Sequence, residues 1–472
     1  MANILISYFS DYGEAMYDAI TDVLLKNGNN IFRFNINTPA VSISSWGGYS
    51  KISDKSVRKK ICDFKPQIVL NFNHSLPVEI YDDLSEDCKI CVIDADNPNT
   101  FWNKQLHLKT ARKYVYLGLQ SYSKTMYENY LGRALSSFEY MYFPPATVVK
   151  RETLKQDKNI SFIGSNFYPM SIPPFETDFY TSEGLKLYEA IKKEYYISLS
   201  EVKKICQTQN YAWLLEQVRA FYTGQERLKY LQQLTDLGLI FYGLRWWKNI
   251  AYYDFELACC FNEKVIRTLA ENQWVYNTSK ISVNISHPQA KSSFSWRVMD
   301  IMASNACLLM EDKPDWRDLF EKYLSPETLE NIIYTDRFDM REKAKKLLAD
   351  EKLRQRCIRE LNNAIEQNGR WEKRFAKLQE FVGIPLMNQS GTGEFFFIKN
   401  ECDCNKADTK NVSSTILYKQ KKNFLKRINV KKRTKLFFYL TVLALYQIPI
   451  IDIGIRRENR NRILTKIQKY WR

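Results

Sequence analysis

Arg297 and Asp300 stand three residues apart in the segment Trp274–Glu311, WVYNTSKISVNISHPQAKSSFSWRVMDIMASNACLLME. On a helix that spacing puts a guanidinium and a carboxylate on one face. The segment reads as helix end, strand, polar loop, helix, strand, with Ile281–Ile285 as a short β-branched run and Ala306–Met310 as a second buried strand. The pair therefore falls near a helix start, just past the C-terminal end of a strand, where open α/β sheets bind ligands. Free N–H groups and the helix dipole favour phosphate there. The arginine would grip a phosphate and the carboxylate would accept ribose hydroxyls, the layout expected for a nucleotide-diphosphate ligand. An Arg–Asp pair at this spacing is more often a solvated surface ion pair worth under about 1 kcal/mol, so the surrounding elements have to decide between the two readings.

Those elements alternate strand and helix from the first residue. Asn3–Tyr8 reads as a strand, Phe9–Gly13 as a loop, and Glu14–Lys26 as a helix with Ala15, Ala19, Ile20, Val23 and Leu24 inward and Gly28 at its end. Ile31–Phe34, Gln67–Phe72, Lys89–Ile93 and Phe138–Phe143 read as strands, and Asp54–Phe64 and Ser121–Leu131 as helices. Such alternation implies a parallel, doubly wound sheet. Pro144-Pro145 stops it, and a polar stretch to Lys158 reads as an inter-domain linker. A second α/β unit opens with Asn159–Gly164. It carries a long helical insertion over Gly184–Glu194, Leu199–Gln207 and Tyr211–Leu237, resumes with the strand Leu239–Gly243, and closes with a short strand at Ile332–Tyr334 and helices over Arg341–Glu380. The expected plan is thus a first Rossmann-like domain over 1–150, a second over 157–385, a linker over 386–418 and a tail over 419–472.

Charge separates the tail from the rest. Residues 411–472 hold 16 of the 69 Lys and Arg and two acids, Asp452 and Glu458, a net of +14 against +16 for the whole chain. The body is nearly neutral, which argues against a protein that clamps nucleic acid along its surface, and the tail is suited to something anionic. Lys419–Lys435 and Arg456–Arg472 are basic runs flanking the apolar stretch Leu436–Ile455. That stretch has the ~20 residues of a bilayer span, but Gln447, Pro449 and Asp452 lie in its second half. An amphipathic segment lying on an anionic membrane surface fits better, and a helical pair docked on the body is the plain alternative. Ten scattered cysteines, mostly in apolar runs, suit a reducing cytoplasm. Cys88/Cys91 and Cys402/Cys404 lack the further ligands of a zinc site, since His74, His107 and His287 show no ligand spacing, so no metal and no cofactor is expected. Met1-Ala2-Asn3-Ile4-Leu5-Ile6 reads as the first core strand and not as a leader.

Two Rossmann-like halves with a nucleotide site in the second describe the GT-B plan, in which the domains face each other across a cleft. The chain resembles the CgeB-like (spore-maturation-type) glycosyltransferases of the glycosyltransferase group 1 set. The likeness rests on ISFIGSNFYP (160–169), FYGLRWW (241–247), YNTSKISVNISHP (276–288) and SWRVMDIMASNACLLMED (295–312), with VIDADNP (92–98) and YFPPA (142–146) as first-domain landmarks, and it covers roughly residues 1–385. It implies transfer of a sugar from a nucleotide-diphosphate donor in the cleft. Arg297 would hold the diphosphate and Asp300 the ribose or sugar, while Gly164 and Gly243 would let backbone approach the donor. Asn284, His287 and Ser295 would border the site, and Trp247 would stack on a base or sugar, although a tryptophan in such a run more often fills core. Many retaining members carry two glutamates eight residues apart, and the earlier position here is Ser292, so stereochemistry stays open. Ser304-Asn305-Ala306 replaces the Ala-x-Gly turn, with Asn305 able to adopt the left-handed backbone.

An inverting transfer needs a base near the acceptor hydroxyl. Asp11, Glu14, His74, Asp94 and Asp96 are available at strand ends or in loops of the first domain, and His74 and Asp11 are the leading candidates. Asp94-Ala95-Asp96 is also a D-x-D, the metal-holding pair of GT-A transferases, which lack a second nucleotide-binding half. A further alternative is a non-catalytic scaffold binding envelope or nucleic acid on a transferase-like fold. The expected function is sugar transfer to an envelope glycan, lipid-linked glycan or protein, in the cytoplasm at the inner face of a bacterial membrane, the bacterial setting being implied by the resemblance alone.

Overall fold

A computed structural model describes residues 1–398 apart from 11–13, 39, 44–49, 96–113, 166–181, 208–210, 253 and 388–389. Strands β1 (Asn3–Tyr8) and β2 (Asn30–Asn35) precede a short antiparallel hairpin of β3 (Val41–Ile43) and β4 (Ser50–Ile52). Then come β5 (Ile68–Phe72), β6 (Lys89–Ile93), β7 (Tyr114–Gly118) and β8 (Tyr140–Tyr142). After the linker follow β9 (Lys158–Ile163), β10 (Leu239–Tyr242), β11 (Phe261–Asn262), β12 (Ser279–Asn284), β13 (Cys307–Glu311) and β14 (Ile333–Tyr334), with β15 (Phe395–Phe397) last. They form two all-parallel sheets, a seven-stranded one in the order β15-β2-β1-β5-β6-β7-β8 and a six-stranded one in the order β11-β10-β9-β12-β13-β14. This is the two-domain α/β plan expected of a GT-B chain.

The strands are short apolar runs because both sheet faces are covered. In β5 every residue is buried. One face of the first sheet packs Ile4, Ile6, Leu70 and Phe72 against the helix Ala15–Lys26 through Ile20 and Leu24. The other packs Leu5, Phe34, Val69 and Val92 against Val57 and Ile61 of the helix Lys55–Phe64, which Asp54 caps by accepting from the Ser56 N–H at 2.7 Å. Each such fully buried side chain contributes about 1.5–3 kcal/mol. The second sheet has its own core, in which Ile281, Val283, Leu308 and Leu309 meet Val298, Met299, Ile358 and Leu361. Between β9 and β10 the expected helical insertion is present as Ser182–Lys193, Leu199–Ile205 and Tyr211–Gln232, with a small core of Leu187, Ile191, Val202, Leu215 and Val218.

The chain crosses between domains twice, and the crossings lie side by side. Thr147 forms a parallel bridge with Arg370, and its N–H donates to the Gly369 carbonyl at 3.0 Å. Buried Arg374 donates to the Pro144 carbonyl at 3.2 Å. After the second crossing, the helix Trp371–Val382 packs Trp371, Phe375 and Leu378 into the first domain's core. Within the stretch read as linker, β15 then joins the edge of the first sheet beside β2, with Phe396 against Phe32 and Phe64. Strand β7, the hairpin and the helix Val78–Asp83 were also not anticipated. The tail 419–472 lies outside the described residues, and among those residues no helix is long and apolar enough to cross a membrane.

Candidate functional site

Strands β9, β12 and β13 end at one rim of the second sheet, and the loop and helix after β12 carry most of the expected donor-side residues. The helix Trp296–Met302 is seven residues long, and a cluster of cations stands beside its start. Arg297, in its first turn, is partly exposed, and among the described residues no hydrogen bond or salt bridge holds its guanidinium. Two further arginines stand behind it, both from the helix Tyr211–Gln232 of the insertion. Arg227 is 2% exposed and donates to the carbonyls of Ser165 at 2.7 Å and Ile285 at 3.2 Å, tying together the chain just past β9 and β12. Burial, followed by repulsion from Arg297, pulls its pKa down to about 9. Arg219 donates to the Tyr195 carbonyl at 3.1 Å and lies over the Tyr195 ring at 5.3 Å. His287 sits among them. Burial first, then Arg227, Arg297 and Arg219, lowers its pKa to about 3, so it is a neutral imidazole whose Nδ1 accepts from the Gln289 N–H at 3.1 Å. Arg219 also pairs with Glu216 at 2.9 Å, so among the described residues the guanidinium of Arg297 is the member of this cluster left to attract an anion.

The other expected residues take different parts. Asn284 is buried; its Oδ1 accepts from the Ser295 hydroxyl at 2.6 Å and its carbonyl from Tyr334 at 2.8 Å. Asn284 and Ser295 thus fix the angle between β12 and the Arg297 helix. Trp247 is fully buried, packs on Phe241 with ring centroids 4.6 Å apart, and donates its indole N–H to the Gly164 carbonyl at 2.8 Å. The expectation that it stacks on a ligand is corrected to core filling. Gly164 and Gly243 likewise serve chain packing: a Cβ on Gly243 would lie 2.3 Å from the Gly164 carbonyl oxygen and 2.4 Å from the Trp247 indole nitrogen. Asp300 turns toward the first crossing, where its carboxylate accepts from the Thr147 hydroxyl at 2.6 Å. Burial pushes its pKa up to about 7, against the opposing pull of Thr147, Arg297 and Arg370.

On the facing domain, His74 follows β5 in the left-handed region at φ 52°, after Asn73 at φ 47°. Two successive non-glycine residues there are uncommon and strained. Asn73 holds the turn by accepting from the Ala95 N–H at 2.8 Å and donating its own N–H to the Ile93 carbonyl at 3.1 Å. The turn places His74 Nε2 3.3 Å from Asp94 Oδ2. Both side chains are buried, and burial holds the His74 pKa well below its ordinary value. Asp94, not His74, lines a narrow space of about 10 Å³ between the domains, room for one water, with Gln120, Ser123, Tyr196 and Gln289. Asp11 and Asp96 lie outside the described residues. Among the described residues no group of three or more His, Cys, Asp or Glu side chains gathers as metal ligands would.

The domains meet through the loop that follows His287. Buried Asp315 accepts from the Ser121 N–H at 2.8 Å, the Ser121 hydroxyl at 2.6 Å and the Ser292 hydroxyl at 3.1 Å. Ser293 donates to the Leu119 carbonyl at 2.8 Å, and Gln289 to the Ala95 carbonyl at 2.9 Å. Ser292, where an acid would stand in many retaining enzymes, is thus part of an inter-domain latch. Arg219, Arg227 and Asp315 escaped sequence reasoning. The spacing of Arg219 and Arg227, eight residues apart on one helix face beside buried Val218 and Thr223, was the available signal.

Comparison with known proteins gives one family. Residues 217–380 match the family described as Glycosyl transferase-like. No curated protein matches. Among solved structures, the chain is similar to an alpha-glucosyltransferase in complex with UDP-glucose and DNA containing an abasic site (11% identity, 80% of this chain and 99% of that one, TM-score 0.47). A sucrose-phosphate synthase from Thermosynechococcus elongatus gives 10% identity, 80% and 98% coverage and a TM-score of 0.46. The T4 phage BGT in complex with UDP and Mn2+ gives 12% identity, 81% and 99% coverage and a TM-score of 0.45. The stretch that matches the Glycosyl transferase-like family, residues 217–380, carries Arg219, Arg227, His287, Arg297 and Asp300.

Proposed function

We propose that this chain is a GT-B-type glycosyltransferase that takes a hexose from a nucleoside diphosphate donor and needs no metal for the transfer. The observation that carries this reading is Arg297, a guanidinium without hydrogen bond or salt bridge among the described residues, standing before Arg227 and Arg219 at the C-terminal rim of a parallel sheet. A diphosphate bridging to it would gain charge-assisted bonds of about 1.5–3 kcal/mol each. Asp300 has one carboxylate oxygen on Thr147 and the other to offer a ribose or sugar hydroxyl. The two-domain plan favours this over a GT-A site built on Asp94 and Asp96. The acceptor is an envelope glycan, a lipid-linked glycan or a protein, met at the cytoplasmic face of an anionic membrane that residues 419–472 engage, the basic composition of that tail being the support.

A thermal-shift screen of UDP-, GDP- and dTDP-hexoses tests the reading, because a donor that binds the folded state raises stability by mass action. One donor should shift the wild type with EDTA present, and Arg297→Ala should weaken it about 10- to 100-fold. No shift with any donor would overturn the proposal. Donor binding without sugar release, to water or to any acceptor, would support the scaffold alternative instead.

A further inference from the structure

We propose that the β15 edge of the first domain is a lipid-contact face: Phe395, Phe396 and Phe397 enter the interfacial layer of an anionic bilayer, and Lys55, Lys59 and Lys60 meet its headgroups. This goes beyond the sugar chemistry. It extends the membrane engagement proposed for residues 419–472 to the folded body of the protein.

Strand β15 ends the seven-stranded sheet, and its three phenylalanines are 48, 39 and 40% exposed. Side chains alternate between the faces of a sheet along a strand. Phe395 and Phe397 accordingly stack on one face with ring centroids 6.3 Å apart, and Phe396 lies on the other, 5.5 Å from the Phe64 ring. The edge is therefore aromatic on both sides. Edge strands that face water are guarded by charge, proline or a bulge. Strand β15 pairs with Ile31–Arg33 in unbroken register and carries no such guard. On the Phe396 side an open groove of about 710 Å³ separates β15 from the helix Lys55–Phe64, lined by Phe32, Phe64, Phe396 and Ile398, with Lys60 and Asp63 at its wall.

The charge beside this edge names the partner. Residues 54–65 hold five bases and two acids. Arg58 is taken by Asp83 and Lys59 neutralises Asp63, each at 2.5–2.6 Å, while Lys60 forms no salt bridge among the described residues. Lys55, Lys59 and Lys60 are all exposed, as is Glu394, the acid that precedes β15. An aromatic strip flanked by lysines suits the boundary of an anionic bilayer, where rings sit at headgroup level and ammonium groups reach phosphate oxygens. The described chain leaves this edge at Ile398, and the basic tail follows it. A tail held on anionic lipid thus keeps β15 at high effective concentration over the same surface. A second copy fits less well, because pairing two β15 edges about a two-fold axis normal to the sheet sets the two basic helices side by side.

The experiment follows hydrogen exchange by mass spectrometry in the full chain, with and without vesicles of phosphatidylglycerol and phosphatidylcholine in equal parts. Peptides over residues 55–64 and 394–398 should exchange at least about threefold more slowly with these vesicles and not with phosphatidylcholine alone. Peptides over residues 254–262, where exposed Phe255 stands beside Glu256, should not change. Phe395→Ser with Phe397→Ser, and separately Lys59→Glu with Lys60→Glu, should each weaken co-sedimentation about 10-fold at an unchanged melting temperature. Vesicles that bind the chain but leave residues 394–398 unprotected overturn the proposal and leave the tail reading standing. Vesicles that do not bind the chain overturn both. Protection of residues 394–398 that grows with protein concentration without lipid assigns the edge to a second copy and overturns the lipid face. Should a variant fold poorly, exchange in the wild type decides alone.

Discussion

Replacing Asp300 by asparagine should stabilise the protein at neutral pH while weakening its donor site. The carboxyl pKa rises from 3.8 to about 7 on folding, chiefly through burial. Between those values the unfolded chain has lost the proton and the folded chain keeps it, so stability falls as pH rises from 4 to 7 and is level above. Three pKa units correspond to about 4 kcal/mol as an upper bound, and because Asp300 keeps some solvent contact, roughly half of that is the expected size. Asparagine keeps an oxygen to accept from Thr147 and escapes the charge penalty. His287 acts in the opposite sense: its pKa falls from 6.5 to about 3, so the unfolded chain binds the extra proton and stability rises with pH through that window. In the wild type the two slopes largely cancel, and the difference between variant and wild type isolates Asp300. Urea midpoints followed by tryptophan fluorescence from pH 4 to 8 should show a difference near zero at pH 4 that grows in favour of the variant and levels off near pH 7.5. A difference that is flat with pH, or a variant less stable at pH 8, would refute the reasoning.

Gly243→Ala should destabilise the second domain by about 2–4 kcal/mol, seen as a lowered melting temperature, because its methyl would meet the Gly164 carbonyl oxygen at 2.3 Å and the Trp247 indole nitrogen at 2.4 Å. Asp315→Ala strands the Ser121 and Ser292 donors and should open the inter-domain latch, increasing the radius of gyration in small-angle scattering while each domain stays folded. Arg227→Met should lower donor affinity at least as much as Arg297→Ala and also loosen the ends of β9 and β12, which calorimetry separates from binding. The full chain should co-sediment with vesicles containing phosphatidylglycerol and be released by salt, since each basic residue near an anionic surface contributes about 1 kcal/mol.

What was legible in the sequence was whatever depended on local pattern. NILISY gave β1 at its observed bounds because a buried parallel strand needs only a short apolar run. The position of Arg297 past β12 followed from the strand–loop–helix order. Strand β7, YVYLG, was missed because the residues before it, NKQLHLKTARK, carry no glycine or proline to mark its start. Strand β15 exists through pairing with β2, more than 350 residues away, a contact no local window contains. The same limit hid the arginine cluster: Arg219 and Arg227 lie in an insertion about 60–70 residues before His287, and only folding puts them beside it. Trp247 shows the reverse error, where a residue suited to stacking on a ligand is claimed by the core, since Phe241 and the Gly164 carbonyl already satisfy both its ring and its N–H.

The paired crossings at Thr147 and Arg370 restrict how the two lobes can move. A single tether would let one lobe swivel and twist freely against the other. Two adjacent chain segments joined by an isolated bridge behave like a strip hinge: bending across the strip is easy, whereas twisting must break the Thr147–Gly369 contact and shear the Arg374 anchor on Pro144. Opening and closing therefore follow one axis, and each closure returns the rim that bears Arg297 to the same register against the first domain.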